Sequence, residues 1–428
     1  MKIYKVLVFP GGTEIGLEIQ RALCGCKDIQ LYSVGLDVPN HAPYVFAKHF
    51  NIPSIHDTRW IDALNQIVDA NNINYIFPAY DDIIVSLAQN SDNINAKIVI
   101  SPLETCLVTR SKFKTYSLLS ETIPVPKIYH SLDEIEYFPV FVKPDKGQGS
   151  QDTHIVYDSE NLSLILSKNR EYIITEYLPG EEYTIDCFSQ RNVGILFCSA
   201  RKRVRTKNGI SVNSSSANID NELFIRYAKL ISEKLKLYGA WFFQLKQDKY
   251  NNYKLLEIAP RIAGSMAFHR IQGINFPLLS IYEQENIPIE VITNKVNVEM
   301  DRALINRYRH NILYKAVYVD LDDTLVVNAK INLNLIKFLY QCINKYIKII
   351  LLTKHTGNLN NFLKNYRIKD IFDKIIQINE SANKADYIVE PNAIFIDDSF
   401  SERKFVSVKL GIPTFDSSMI EMLLDDRE

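Results

Sequence analysis

Three apolar runs in the last third of the chain each end in polar side chains that could handle a phosphoryl group. The runs cover residues 317–319, 347–352 and 393–396, and each reads as a buried strand. They are followed by Asp320 and Asp322, by Thr353, and by Asp397 and Asp398, with Lys384 between the second and third runs. Because the carboxyl ends of parallel strands meet at one edge of a sheet, we expect these groups to lie close together.

Clustered carboxylates of this kind predict a divalent-cation site with a nucleophile beside it. Mg2+ prefers oxygen ligands and keeps waters that a substrate phosphate can replace, and a positioned carboxylate can attack phosphorus. Asp is also common in turns after strands, so turn formation is the alternative interpretation. About 30 residues separate the first two runs, enough for one crossover helix over 333–346 and too few for an inserted cap domain.

This ordered set resembles the motifs of the haloacid dehalogenase (HAD) superfamily of phosphatases, over residues 314–428. The resemblance implies that Asp320 takes up the phosphoryl group and that Asp322 is the general acid for the leaving group and then the base for water. It also implies that Thr353 and Lys384 hold the transferring phosphoryl. The implied metal ligands are Asp320, Asp322 through its backbone carbonyl, Asp397 and Asp398.

The amino-terminal third alternates apolar strands with helical segments, as in a doubly wound parallel sheet. A strand over 6–9 leads into the turn P-G-G-T-E-I-G and a helix over 17–23. The glycine spacing departs from the strict dinucleotide fingerprint, so nicotinamide binding is an alternative that the spacing disfavours. We predict a small parallel-sheet domain over residues 1–105.

The middle of the chain carries basic, glycine-rich and acidic segments in an order that suits a nucleotide. A strand over 139–144 leads into a glycine loop at 145–150, whose backbone N–H groups could fold over phosphates. The segment 173–183 supplies acids suited to an adenine amino group and a ribose. Two further strands, 242–246 and 254–261, carry a Gln, a Glu and an Arg.

Together these segments resemble the ATP-grasp superfamily, in its carbamoyl-phosphate synthetase-like branch, over about residues 1–300. The resemblance implies that Gln244 and Glu257 ligate Mg2+, with Mn2+ as an alternative ion, and that Arg261 holds the γ-phosphoryl group of ATP. The implied nucleotide-binding residues are Lys112 and Lys143 for phosphates, Lys146, Gly147, Gln148, Gly149 and Ser150 as a lid, Glu176 with Tyr177 and Leu178 for adenine, and Glu182 for ribose.

Two segments leave alternatives open. The family usually has Asn where this chain has Ala259, and a methyl group cannot ligate a metal, so a second metal ion is left open. A basic run at 201–205 is either a solvated surface or a site where Arg203 binds a substrate carboxylate through its paired N–H groups.

The composition is that of a globular enzyme with several domains. The chain has 428 residues, 46% of them apolar and 23% charged, and its net charge of −1 gives no general argument for nucleic acid or an anionic membrane surface. Its six cysteines have no metal-ligand or redox spacing, and no signal peptide or membrane span is evident. We therefore predict free thiols and a cytoplasmic protein, and homodimer formation stays open.

We predict an α/β protein with a pre-ATP-grasp Rossmann-like domain at 1–105, an ATP-grasp α+β domain at 106–305 and a capless HAD-like doubly wound parallel sheet at 306–428. It would join a small-molecule carboxylate to an amine through an acyl phosphate, using ATP, and would also be a Mg2+-dependent phosphatase. One substrate would be phosphorylated or a nucleotide sugar, as in capsule polysaccharide biosynthesis. The alternatives are a sensing module that binds ATP without ligation and governs the phosphatase, and a phosphatase domain that serves only for docking or structure.

Overall fold

The computed structural model describes residues 2–147, 149–167, 171–217, 221–294 and 296–427, so Gln148 of the predicted lid lies outside the described residues. The chain divides into two compact units, which meet in the sequence between Leu304 and Ile305. None of the described helices is long and apolar enough to cross a membrane.

The first unit contains one parallel and two antiparallel sheets. Its strands are β1 (Tyr4–Phe9), β2 (Ile29–Gly35), β3 (His49–Asn51), β4 (Tyr75–Pro78), β5 (Lys97–Ile98), β6 (Ile128–Tyr129), β7 (Val140–Pro144), β8 (His154–Val156), β9 (Tyr172–Glu176), β10 (Glu182–Gln190), β11 (Gly194–Lys207), β12 (Ile210–Ser216), β13 (Gly239–Gln247), β14 (Tyr253–Ala259) and β15 (Glu299–Asp301). Its helices are α1 (Glu14–Leu23), α2 (Trp60–Asn71), α3 (Asp81–Gln89), α4 (Leu103–Arg110), α5 (Lys112–Leu119), α6 (Ser159–Leu166), α7 (Asn221–Lys234), α8 (Ala267–Arg270) and α9 (Phe276–Gln284).

The parallel sheet has the strand order β3-β2-β1-β4-β5 and is covered on both faces. Val6 and Val8 of β1 pack with α1, whereas Leu7 and Phe9 pack with α2 and α3 on the other side. Burial of both faces explains why the central strands are continuous apolar runs rather than alternating ones. Because all its strands are parallel, their carboxyl ends and the turns that follow them lie at the same edge of the sheet.

Helix α1 begins earlier than the sequence predicted. Thr13 Oγ1 accepts a hydrogen bond from the backbone N–H of Gly16 at 3.0 Å, so the helix starts at Glu14 rather than at residue 17. A Cβ atom at Gly16 would lie 2.7 Å from the carbonyl oxygens of Pro10 and Gly11. The glycines of this turn thus permit a close approach of strand and helix.

The two antiparallel sheets have the orders β6-β9-β7-β8 and β14-β13-β10-β11-β12-β15. The single segment predicted at 173–183 is two strands in different sheets, β9 and β10, joined by residues 177–181. Sequence periodicity did not show this break, because both strands are apolar and the connection is short.

The second unit is built on another parallel sheet. Its strands are β16 (Ala316–Val319), β17 (Val326–Val327), β18 (Lys330–Ile331), β19 (Lys348–Thr353), β20 (Lys374–Gln377), β21 (Ala393–Ile396) and β22 (Thr414–Phe415), and its helices are α10 (Leu333–Asn344), α11 (Leu359–Asn365) and α12 (Phe400–Leu410). The sheet order is β20-β19-β16-β21-β22, with every pair parallel. Between β16 and α10 the chain forms only the small β17–β18 hairpin, and α10 ends two residues before the predicted 346. Residues 302–313 form neither helix nor strand.

Candidate nucleotide and metal sites

A cavity of about 300 Å³ lies between the two antiparallel sheets of the first unit. Most of the predicted nucleotide-binding residues line it, together with both predicted metal ligands of this unit. They are Lys112, Lys143, Gly147, Gly149, Ser150, Glu176, Tyr177, Leu178, Glu182, Gln244 and Glu257. Arg203, predicted to bind a substrate carboxylate, also lines this cavity. Lys146 has an exposed side chain and does not line the cavity, because the loop turns it outward.

Two lysines on different elements bring positive charge to this cavity. Lys143, on β7, is only 5% exposed, and its Nζ donates to the hydroxyl of Tyr116 at 2.8 Å. Burial, with the nearby charge of Lys112, lowers the pKa of Lys143 to about 7. Lys112 begins α5, and its Nζ donates to the carbonyl of Gly147 at 3.1 Å. A ligand with several negative charges would offset the repulsion between these two ammonium groups.

Gln244 and Glu257 lie directly opposite each other on the antiparallel strands β13 and β14. Their side-chain oxygens can therefore approach one cation from two strands. Among the described residues, no group of three acidic, histidine or cysteine side chains with metal-binding spacing surrounds Glu257. Two residues further along β14, Ala259 packs in an apolar cluster. A cation here would have one carboxylate ligand and one amide ligand from the protein.

The two acids predicted to contact adenine and ribose already have cationic partners. Glu176 accepts from the backbone N–H of Lys127 at 2.9 Å and pairs with Lys254 at 3.1 Å. Glu182 lies 3.0 Å from Nε of Arg203 and also faces Lys246. A ribose hydroxyl at Glu182 would share this carboxylate with Arg203, whereas Glu176 mainly anchors the start of the 177–181 connection.

The glycine loop contacts the hairpin turn between β11 and β12. Gly209 has φ of 70°, and a Cβ there would lie 2.4 Å from the side-chain oxygen of Ser150, so this turn requires glycine. Arg203 donates to the carbonyl of Gly209 at 2.5 Å. The loop, the turn and the arginine thus form one wall of the cavity.

A second cavity, of about 660 Å³, adjoins the first. Gln244, Glu257 and Arg203 line both cavities. Further walls come from the start of α1, from residues 79–81 after β4, from the glycine loop and the turn between β11 and β12, and from the segment 261–265. Arg261 lines this second cavity and not the first. Two chambers therefore meet at the pair of predicted metal ligands.

In the second unit, Asp320, Asp397 and Asp398 form a group that could hold a metal ion. One oxygen of each lies within 4.8 Å of the others. Asp320 follows the central strand β16 and Asp397 follows the adjacent β21, so parallel pairing brings the carboxylates together as predicted. Thr324 Oγ1 donates to Asp398 at 2.9 Å, which orients the most exposed member.

A buried lysine lies between two of these carboxylates. Lys384 Nζ is 2.7 Å from Asp320 and 2.5 Å from Asp397. Burial raises the pKa of Asp320 to about 7, and the charge of Asp397 adds to the rise while Lys384 opposes it. Burial also raises the pKa of Asp397. One ammonium does not fully compensate two buried carboxylates, so a divalent cation would be favoured here.

Asp322 and Thr353 complete the predicted set. Asp322 is not a member of the acidic group, and both of its oxygens lie within 3.0 Å of Nδ1 of His355. Thr353 is buried at the end of β19, and its hydroxyl accepts from the backbone N–H of His355 at 3.0 Å. His355 thus contacts two of the predicted residues.

Sequence reasoning did not select three residues that the structure places in these sites. Tyr116 lies one helical turn after Lys112 on α5, and Lys246 lies two residues after Gln244, on the same face of β13. His355 follows Thr353 by two residues. Each of the three lies two or four residues from a residue that the sequence did indicate. This spacing could have suggested them, although it does not show which neighbouring side chain faces a cavity.

A family model matches the carboxyl-terminal part of the first unit. Residues 168–304 match the family described as ATP-grasp in the biosynthetic pathway with Ter operon. A D-alanine–D-alanine ligase of Fusobacterium nucleatum is 28% identical over 151 residues, 34% of this chain and 52% of that relative. The chain therefore spans about half the length of this curated relative.

Solved structures with a similar fold include nucleotide complexes. N5-carboxyaminoimidazole synthetase from Staphylococcus aureus complexed with ADP has a TM-score of 0.60 at 16% identity, covering 71% of this chain and 83% of that one. The biotin carboxylase domain of Hydrogenobacter thermophilus 2-oxoglutarate carboxylase, with MgADP, ADP and bicarbonate, has a TM-score of 0.57 at 13% identity, covering 68% and 71%. The predicted ATP-grasp fold is confirmed, and the HAD-like interpretation of residues 306–428 stays a prediction.

The raised pKa of Asp320 predicts that cation binding to the second unit depends on pH. Below about pH 7 the carboxyl must lose a proton before it can ligate, so the affinity for Mg2+ should rise with pH, by up to about tenfold per unit, and level off above about pH 7. Calorimetric titration in buffers of different ionisation enthalpy would measure the released proton. Asp320→Asn is the control and should release fewer protons. Equal affinity at about pH 5 and about pH 8 would contradict this cation site.

Proposed function

We propose that the chain is a bifunctional enzyme, an ATP-dependent carboxylate–amine ligase in residues 1–305 and a Mg2+-dependent phosphatase of the HAD type in residues 306–428. The observation that carries the ligase proposal is the junction of the two cavities at Gln244 and Glu257. The ADP and MgADP complexes among the similarly folded proteins support ATP and Mg2+ as cofactors. We further propose the division of the ligase at residues 105 and 106, and a cytoplasmic location, which the free cysteines support.

In the proposed ligase, ATP lies in the first cavity with its phosphates near Lys112 and Lys143. A substrate carboxylate in the second cavity attacks the γ-phosphorus, so that ADP leaves and an acyl phosphate forms. An amine then attacks the acyl carbon, which forms the amide and releases phosphate. The lysines and Arg261 offset negative charge on the phosphoryl oxygens, since phosphoryl transfer is catalysed mainly by positioning and electrostatics. Arg203, shared by both cavities, would orient the substrate carboxylate.

Gln244 and Glu257 would hold Mg2+, which would neutralise negative charge on the phosphate groups of ATP. Their opposed positions on β13 and β14 fit one cation. Ala259 offers no ligand oxygen and packs in the apolar cluster instead. The geometry therefore favours one firmly held ion over two.

In the proposed phosphatase, Asp320 attacks the phosphorus of a phosphoester and forms an aspartyl phosphate as the alcohol leaves. Asp322 donates a proton to the leaving oxygen and then removes one from the water that releases phosphate. Lys384 and Thr353 would hold the phosphoryl oxygens, and the three clustered aspartates would hold Mg2+. The convergence of three neighbouring parallel strands, β19, β16 and β21, supports this proposal.

The presence of both activities in one chain suggests that they act on one metabolite. A phosphorylated amine could be recognised by its dianion during ligation, and the phosphatase could then remove the phosphate from the amide. Such a pair would suit small carboxylates and amines, one of them a phosphoester or nucleotide sugar, in the biosynthesis of capsule or other surface polysaccharides. The matched family, described by a biosynthetic pathway, is consistent with a biosynthetic role.

One observation favours a second candidate function for the first unit. Its cation site has a single carboxylate, because Gln244 and Ala259 contribute no charge. A module with weak metal binding could sense ATP or another ligand without ligation and govern the phosphatase. ADP release that depends on an added carboxylate and amine would distinguish a ligase from such a sensor.

The lowered pKa of Lys143 predicts that ATP affinity falls as pH rises. Above about pH 7 the amine of Lys143 is neutral in the free protein, so binding of the ATP phosphates must be accompanied by uptake of a proton. The affinity should fall by up to about tenfold per pH unit above that value. Lys143→Met should bind ATP more weakly, with a flatter profile between about pH 7 and about pH 9. The same slope in wild type and variant would assign the pH dependence to another group.

Glu257 should dominate metal-dependent turnover, because among the described residues it is the only carboxylate that lines both cavities, and it lies opposite Gln244. Glu257→Gln should lower Mg2+-dependent ADP formation by about 100-fold or more. Ala259→Asn adds a ligand oxygen on the same strand and is the matched variant, for which we expect unchanged or higher turnover. Full turnover by Glu257→Gln would show that the cation lies elsewhere.

Asp320→Asn should separate the two activities. An amide cannot attack phosphorus, so phosphatase turnover should be lost while ADP formation by the first unit is retained. With ATP, Mg2+, a carboxylate and a phosphorylated amine, mass spectrometry should show a phosphorylated amide that accumulates in the variant and is dephosphorylated by wild type. If wild type releases phosphate from the free amine faster than from the amide, the order of the two reactions is reversed.

A further inference from the structure

Arg261, in the turn after β14, is held by a carboxylate from the amino-terminal parallel sheet. Its Nε and one terminal nitrogen donate to the two oxygens of Asp81, the latter at 3.2 Å. The other terminal nitrogen donates to the carbonyl of Ile262 at 3.1 Å. Asp81 begins α3, directly after β4, and lies 180 positions before Arg261 in the sequence. The pair therefore joins two of the sequence regions whose residues line the second cavity.

The charges around this pair favour its ionised form. Burial by itself would raise the pKa of Asp81, yet the charges of Arg261, Arg110 and Lys112 hold that pKa below its usual value. The guanidinium of Arg261 also lies 5.2 Å from the ring centre of Phe242. Its plane is thus restrained from more than one direction.

The paired guanidinium keeps donors for a ligand. Arginine has five N–H groups, and among the described residues Asp81 and Ile262 accept from three of them. The others belong to a side chain that lines the second cavity, beside Glu257. A fixed plane determines the direction of these remaining donors.

The next residue, Asp82, holds part of the first cavity in a similar way. Its Oδ1 accepts from Nε and a terminal nitrogen of Arg110 at 3.0 and 2.7 Å. Arg110 in turn donates to the carbonyl of Gly147 in the glycine loop at 3.3 Å. Consecutive carboxylates at the start of α3 thus pair with Arg261, which lines the second cavity, and with Arg110, which contacts the glycine loop at the first cavity.

We propose that Asp81 is a positioning residue, which directs the guanidinium of Arg261 toward the phosphoryl group that passes between the two cavities. Helix α3 of the amino-terminal sheet would thereby take part in phosphoryl transfer without touching ATP. The inference rests on the proposed ligase function.

A second ion pair provides a matched control. Glu18 of α1 accepts from Arg270 of α8 through both oxygens, at 2.7 and 3.2 Å, and is 3% exposed. This pair also joins the amino-terminal sheet region to the chain after β14, but neither residue lines either cavity. A purely structural role for Asp81 would make the two pairs equivalent, so that their loss would lower stability and leave nucleotide discrimination unchanged.

The experiment compares Asp81→Asn with Glu18→Gln by titration with ATP and with ADP. Asp81→Asn should weaken ATP binding by about tenfold and change ADP binding by less than about twofold, because only ATP carries the γ-phosphoryl group. Turnover, measured as kcat for ADP formation, should fall about 10- to 100-fold, with a smaller change in the KM of the carboxylate. Glu18→Gln should leave the ratio of ATP to ADP affinity at the wild-type value.

A double variant tests whether Asp81 acts through Arg261. In an Arg261→Ala background, Asp81→Asn should cause no further loss of ATP affinity. An equal loss in both backgrounds, or an equal loss for ATP and ADP, would overturn the proposal. Should Asp81→Asn fail to fold, Asp81→Glu replaces it, since a longer stem displaces Arg261 and should also weaken ATP selectively. Unchanged ATP affinity and turnover in Asp81→Glu would overturn the proposal equally.

The outcome can be separated from that of the proposed function. If wild type forms no ADP with any carboxylate and amine, ligation is refuted, while the ATP and ADP titrations still show whether Asp81 directs Arg261. If wild type ligates and Asp81→Asn keeps its full kcat and ATP selectivity, ligation stands and the positioning role is refuted.

Discussion

Both sites depend on buried ion pairs. In each pair, a charged side chain that is shielded from water is stabilised by an opposite charge beside it. Lys384 lies between Asp320 and Asp397 with almost no exposed surface, and Arg261 forms a two-point pair with Asp81. Removing one member of such a pair leaves a buried charge without compensation, which destabilises a protein far more than loss of an exposed pair. The strands that carry these residues must therefore keep their register. Any slip would separate the partners.

Lys143 is the informative exception. It has the hydroxyl of Tyr116 as its hydrogen-bond partner, and its pKa falls to about 7 because burial disfavours the ammonium. A negatively charged ligand beside Lys143 would therefore stabilise its ammonium form. In the second unit, the raised pKa values of Asp320 and Asp397 indicate that further positive charge would stabilise the ionised carboxylates. Each unit thus has buried charge that is not fully compensated, and a phosphate in the first unit or a cation in the second would compensate it. Charged groups that are fixed in place before the ligand binds form a pre-organised electrostatic site.

The two parallel sheets share one strand order. If the strands of each sheet are counted in chain order, the first strand is central and the second and fourth strands flank it. In both, candidate site residues follow the strands at which the order reverses, the position where open α/β sheets bind ligands. The amino-terminal sheet supplies Asp81 and the start of α1 to a cavity completed by an antiparallel sheet. The sheet of the second unit supplies the acidic group directly. The same topology lines one wall of a cavity in the first unit and carries the acidic group in the second.

Sequence patterns were sufficient for the parallel strands and for the residues at their ends. Buried strands such as β16 and β21 are short apolar runs, and the polar residues after them must meet at one edge, so Asp320 and Asp397 could be placed together without coordinates. The glycine loop and the strands β7, β13 and β14 were recognisable because each combines an apolar run with a residue type that binds phosphate or metal. These features are local, and local chemistry is what a sequence displays.

Only the tertiary structure decided which side chains complete the sites. Asp81 and Arg261 are 180 positions apart, and no spacing in the chain relates them. Lys146 and Lys143 are three residues apart, yet one is exposed and the other buried, because a strand ends between them. The pairing of Glu176 with Lys254, and of Asp322 with His355, likewise depends on strands that meet through folding. Sequence determined the chemistry available at each strand end, and packing determined which charges face one another, since long-range contacts leave no periodic signal in the chain.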